Sequence, residues 1–429
     1  MSRATSPISD LSLSGVPGQS PRPPVGGQSH EWLRRVFLGA AFCLVLVSAY
    51  RVYAAWASLS IGAPPSSDSK LGDDGSRWER ITPREVPLRI DPIRPVGCKS
   101  ASIGDIPKLR QRLVFSNLDK MPIAYYLHVL RAFGLGPIDH PRLKSGADVV
   151  RILTDSELSK AYFDEPLGFT TRSGVRYKSM SEGDRVGEGH RDYCLAAFAE
   201  LGLPLTTPIH VTGRAMTLAD LLHDSVDNFY LKEKEIEWTA TALFLCLPPQ
   251  SEWTNRYGEQ FTFDDLAREI LRRRFGDSSC GGSHLLYSLA VLVRVDRVCP
   301  VMSEPVRQAV VSRLRECVAA LVRSQGAEGY WTRAWYQRID AAPKVRQLTP
   351  PDTLSDRLLI TGHVLEFMLV LPAEMQPQGD VFNRGGAWLH QRLQRMSAAD
   401  VKADYCPYTH CLKVLEILSA ANRNFKDPV

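Results

Sequence analysis

The chain has 429 residues, 44% hydrophobic and 23% charged, with a net charge of +5 from 52 basic and 47 acidic residues. That length holds one large core or two domains, and so balanced a charge argues against a nucleic-acid-binding surface. The one dense basic cluster, Arg272-Arg273-Arg274, ends a predicted helix, where it complements the helix dipole.

Residues 1–31 are rich in Ser, Pro and Gly with no apolar period, and are expected to be a disordered tail. Residues 32–57 read as a transmembrane anchor. Val36 to Trp56 is 21 residues, interrupted only by Arg51 near one end, and about 20 apolar residues cross the hydrocarbon core. Arg51 can snorkel to the interface, and Trp32, Tyr53 and Trp56 sit where interfacial aromatics belong. Small residues at Ala55 and Ala57 leave cleavage open, while the long Ser/Pro leader favours an uncleaved anchor. Arg34 and Arg35 precede the run, and beyond Arg51 the next basic residue is Lys70. The positive-inside rule then predicts a single-pass protein with a cytoplasmic N-terminus and an extracytoplasmic body, its partners the membrane and an unidentified ligand.

Residues 58–106 read as a Pro/Gly/Ser-rich surface linker, and residues 107–429 as one helical domain without strands. Mostly apolar segments are predicted at 121–133, 190–201, 236–247, 283–295, 358–371 and 408–421. Amphipathic ones alternate with them at 147–163, 218–229, 263–275, 304–325 and 382–395. Apolar helices must be buried on most faces, so an inner ring wrapped by an outer ring is the expected solution, an all-α (α/α)6-type toroid; an open solenoid of helix pairs is the alternative.

His190, Thr239, His284, His363 and His410 recur at intervals of about 47 residues with one longer step, as repeated helical units would. Each histidine follows a small residue and is followed five and eight residues on by apolar ones, which predicts a shared position in the first turn of four inner helices. The longer step contains an aromatic loop with Tyr330, Trp331, Arg333 and Trp335, expected to bind substrate.

That loop opens Gln325-Gly326-Ala327-Glu328-Gly329-Tyr330-Trp331, with Leu321 four residues before the glutamine. The Gln-x-x-x-Gly-x-Trp pattern resembles the QW signature of the terpenoid-cyclase and protein-prenyltransferase (squalene-cyclase-like) toroids. The resemblance implies the toroid over roughly 107–425, with the motif tying an outer helix to the next inner one. The chain lacks the cyclases' Asp-x-Asp-Asp run. It has the prenyltransferases' Asp-x-Cys pair at Asp192-Tyr193-Cys194 and Asp404-Tyr405-Cys406, but without the matching downstream histidine.

Parallel inner helices bring equivalent positions to one mouth, so His190, His284, His363 and His410 are expected at a catalytic site. Cys280, His363 and His410 are the candidate metal ligands, since imidazole and thiolate suit zinc. Two other readings stand beside a toroid enzyme. One is a non-catalytic module binding polysaccharide, peptide or lipid. The other is a polysaccharide lyase using Tyr330, Arg333, Asn383 and Arg384. No Cys-x-x-Cys spacing appears, and the disulfide pattern stays open.

Overall fold

The computed structural model describes residues 82–98, 105–113, 121–138, 140, 143–211, 213–249, 252–340 and 352–420. These all belong to one compact unit, Gly75–Val429. The tail and the anchor predicted over 32–57 lie outside the described residues. Among the described residues no helix is long and apolar enough to cross a membrane.

The protein is mainly helical, as expected. In chain order the helices are α1 (Ile106–Gln111), α2 (Ile123–Phe133), α3 (Gly146–Thr154), α4 (Ser156–Phe163), α5 (Tyr193–Glu200), α6 (Leu218–Asp227) and α7 (Ile236–Cys246). They continue with α8 (Phe263–Arg272), α9 (Ser283–Val298), α10 (Glu304–Ser324), α11 (Leu354–Val370), α12 (Gly379–Arg395), α13 (Ala398–Ala403) and α14 (Tyr405–Ser419). The single helix predicted over 147–163 is two, because Asp155 leaves the helical region and caps α4, accepting from the backbone N–H groups of Glu157 and Leu158.

Six helices carry the predicted apolar segments and are buried along most of their length: α2, α5, α7, α9, α11 and α14. Each packs on the next, and α14 packs on α2. The amphipathic helices lie against them: α3 on α2, α6 on α5, α8 on α7, α10 on α9 and α12 on α11 and α14. The amphipathic helices α6 and α8 both start with a Thr-x-x-Asp capping box, Thr217/Asp220 and Thr262/Asp265.

Strands were not expected, and three antiparallel hairpins are present. They are β1 (Gly168–Thr170) with β2 (Val175–Tyr177), β3 (Pro208–Val211) with β4 (Arg214–Thr217), and β5 (Glu252–Thr254) with β6 (Gln260–Thr262). At three or four residues per strand there is too little chain for an alternating pattern to show. β4 and β6 run straight into α6 and α8, ending on their capping residues, so these two hairpins set the starting points of α6 and α8.

The linker expectation also changes. Residues 84–93 form an extended strap across the C-terminal ends of the buried helices. Arg84 and Leu88 donate backbone N–H bonds to the carbonyls of Cys246 and Leu245 on α7, and Ile93 donates to Leu369 on α11. These carbonyls have no partner within their own helices, so the strap satisfies them. It also shows that α7 and α11 end on the same side.

Candidate functional site

The four predicted histidines meet, but not by sharing a first-turn position. His284 is the second residue of α9, His410 the sixth of α14 and His363 the tenth of α11, while His190 precedes α5. The helices start at different heights and their histidines end at one level. Ring centroids follow one another at 5.1 Å (His190–His284), 4.8 Å (His284–His363) and 3.8 Å (His363–His410). His128 of α2 continues the series at 5.0 Å from His410, and Tyr193 joins His128 to His190 at 5.7 Å each. The six rings form a closed chain, with Trp238 of α7 against His284 (5.0 Å) and Tyr193 (4.5 Å). Every buried helix thus contributes a ring to the layer.

His128 escaped the sequence reading because it lacks the others' pattern: Leu127 rather than a small residue precedes it, and Gly136 rather than an apolar residue stands eight positions on. Arg131, one turn further on, and Glu366 of α11 were missed because they are single charges inside apolar helices. Both are buried. Arg131 pairs with Glu200 (2.9 Å) and Glu366 (3.1 Å), and Lys413 donates to Glu366 Oε1 (2.7 Å). Burial would raise the Glu366 carboxyl, but Arg131, Lys413 and His410 outweigh it and hold the group well below the usual range. Its Oε2 accepts from His410 Nδ1 at 2.7 Å and faces His363 Nδ1 at 3.7 Å. One carboxylate therefore orients two imidazoles.

With their Nδ1 atoms turned to Glu366, both rings present Nε2 to the layer. His363 Nε2 and His284 Nδ1 are buried and have no hydrogen-bond partner among the described residues. Leaving two such nitrogens unpaired costs roughly 1–3 kcal/mol each, which is hard to reconcile with a purely structural role. Burial, with the neighbouring imidazoles, pushes His284 and His410 well below the usual histidine range, so these rings are neutral at physiological pH.

Cys280 joins them from a tight turn. Its φ of 51° is left-handed, as are Gly281 (61°) and Gly282 (75°), and a Cβ on Gly282 would sit 2.5 Å from the Phe275 ring. Only glycine fits there. The ligating atoms of Cys280, His284 and His363 lie within 4.8 Å of one another. The predicted trio Cys280, His363, His410 is thus changed in one member: His284 closes the set with Cys280 and His363, while His410 groups with His128 and Cys406, or with His363 and Glu366. On the far side Glu235 accepts from His190 Nδ1 (2.9 Å) and from the Ser279 hydroxyl. Glu237, in the first turn of α7, is 1% exposed with neither carboxylate oxygen partnered among the described residues, and burial raises it to about 7.

The aromatic loop lies in the core rather than at a groove. Trp331 is fully buried, its Nε1 donating to the Leu321 carbonyl (2.8 Å) and its backbone N–H to Thr361 Oγ1 (3.0 Å). Gln325 donates to the Val381 carbonyl of α12 (2.9 Å). The motif thus fastens the end of α10 to α11 and α12, which leaves Trp331 no face for substrate. Trp335, 2% exposed, donates Nε1 to the Gly281 carbonyl (3.1 Å) and so braces the Cys280 turn. Arg333 is exposed and paired with Asp356 (2.6 Å), and Tyr330 stacks against Trp388. Asn383 contacts Cys98 and Arg384 is paired with Asp380. The lyase quartet has its partners elsewhere than at the histidine layer.

A cavity of ≈ 250 Å³ lies on the other side of the layer, under the strap, lined by Arg131, Glu200, Tyr287 and Lys413 among others. Cysteines 98, 194, 246, 280, 299, 317, 406 and 411 are free thiols. No family model, curated protein or solved structure matches the chain.

Proposed function

We propose that the protein is an (α/α)6 toroid enzyme with a metal centre, a zinc-type ion held by Cys280, His284 and His363. The toroid reading is supported by six buried helices that pack in sequence with the last on the first. The metal reading rests on one observation: two buried imidazoles, each with a ring nitrogen unpartnered among the described residues, converge with a thiol inside a buried layer. Three N/S ligands with an open fourth position are the arrangement of catalytic zinc, which activates water or a thiol. The Cys280 thiol, pushed up to about 12 by burial and then by Glu235, would be deprotonated by the ion. Glu237 supplies a carboxylate with pKa about 7 and free oxygens, suited to act as the general base for hydrolysis. Of the other predicted histidines, His363 ligates with His284, while His410 and His190 have supporting duties, anchored by Glu366 and Glu235.

Membrane anchorage through residues 32–57, with the body outside the cytoplasm, belongs to the same proposal, as does an extracytoplasmic substrate. The test is metal analysis of the purified full chain after equilibrium dialysis against zinc, beside His284→Ala and His363→Ala. Retention by the wild type and loss in both variants is expected. A wild type that retains no metal, or variants that retain as much, sinks the reading.

A further inference from the structure

The sequence repeats a short spacing at the layer. Cys280-Gly-Gly-Ser-His284 and Cys406-Pro-Tyr-Thr-His410 both place a cysteine four residues before a histidine at the start of a buried helix. Each pair is completed by a histidine from the next helix: α11, packed on α9, brings His363, and α2, packed on α14, brings His128. The ligating atoms of His128, Cys406 and His410 also lie within 4.8 Å of one another, and this trio shares no member with the first. We propose a second transition-metal site at His128, Cys406 and His410, so that the layer holds a pair of ions.

The proposal deepens the metal reading above and has its own evidence. His128 Nδ1 faces the backbone carbonyl of Ala124 and His410 Nδ1 faces Glu366, so each ring is held with Nε2 as the remaining lone pair. Glu366 reaches His410 of the second trio and faces His363 of the first, and those two rings are the closest pair in the layer at 3.8 Å. One buried carboxylate therefore sets ligands of both sites. Imidazole and thiolate select zinc, cobalt or copper(I) over magnesium or calcium. Paired ions clamp the attacking and the leaving atom of a hydrolytic displacement.

The experiment is cobalt(II) titration of the metal-free full chain, followed by thiolate-to-cobalt absorbance, with zinc stoichiometry by elemental analysis. The wild type should take two equivalents, the absorbance rising through both because each site holds one thiolate. Cys406→Ser and His128→Gln should each take one, and Cys406→Ser with Cys280→Ser none. A wild type that saturates at one equivalent, unchanged in Cys406→Ser, overturns the second site and leaves the first. Loss in Cys406→Ser with no loss in Cys280→Ser does the reverse: the second site stands and the first reading fails. The wild-type curve needs no variant to fold.

Discussion

Thr239 stands where the helical repeat would place a histidine, and its neighbours show what that position does instead. Its hydroxyl lies 2.7 Å from Asp192 Oδ2 and 3.1 Å from Glu233 Oε2, with Ser225 also donating to Asp192. One hydroxyl proton cannot serve two carboxylates. A protonated Glu233 lets both contacts form, Thr239 donating to Asp192 and Glu233 donating to Thr239. Burial, and then Asp192, raise Glu233 to about 7 against the pull of Arg191. A carboxyl raised on folding contributes stability that is full below its unfolded pKa and is lost as pH rises through the folded value. The protein should therefore lose up to about 3 kcal/mol between roughly pH 5 and 8 from this group. Glu233→Gln, whose amide donates at every pH, should flatten that slope and raise the melting temperature at pH 8.5. A slope unchanged by the substitution would show that Glu233 does not titrate in this range.

At the scale of elements, the turn before α9 and the turn after α10 make a matched pair of tests. Gly282→Ala must strain a left-handed residue and push on Phe275, at a cost of about 2–4 kcal/mol, and it should lower metal retention because it moves Cys280 against His284. Trp331→Phe removes the Nε1 bond to the Leu321 carbonyl, which still accepts from the Gln325 backbone N–H, for about 0.5–1.5 kcal/mol, and should leave metal retention alone. Thermal melts with metal analysis separate the two outcomes; equal metal loss in both would remove the distinction between scaffold and site. The alternation of apolar and amphipathic helices was legible because burial on all faces or on one leaves its mark in composition. The meeting of His190, His284, His363 and His410 was legible from their common spacing to apolar residues. Their heights were not, since capping decides where a helix starts, and Thr353 begins α11 well before His363. Nor were His128, Arg131 and Glu366, because one polar residue in an apolar run does not say which neighbours it will meet. The aromatic loop misled for a related reason: Trp and Tyr fill cores as readily as grooves.

For the molecule as a whole, the packing of α14 on α2 has a consequence for how the chain is made. Tyr408 donates to the Leu109 carbonyl 299 positions away, and Arg112 reaches the carbonyl of Leu393. Joining such distant segments costs roughly 5 kcal/mol of chain entropy, a cost met only once the last helix is in place. During synthesis the nascent chain exposes the apolar flanks of α2 and α11 until residue 419 has left the ribosome. Its vulnerable interval is then nearly the whole of translation. A chain ending at residue 404 should lack a cooperative melt and be cut by protease at least tenfold faster than the full chain; a sharp melt would show that the other five buried helices close without the sixth. Quality control of this protein is thereby concentrated at its C-terminal end, where a single late frameshift would turn a stable body into a substrate for degradation.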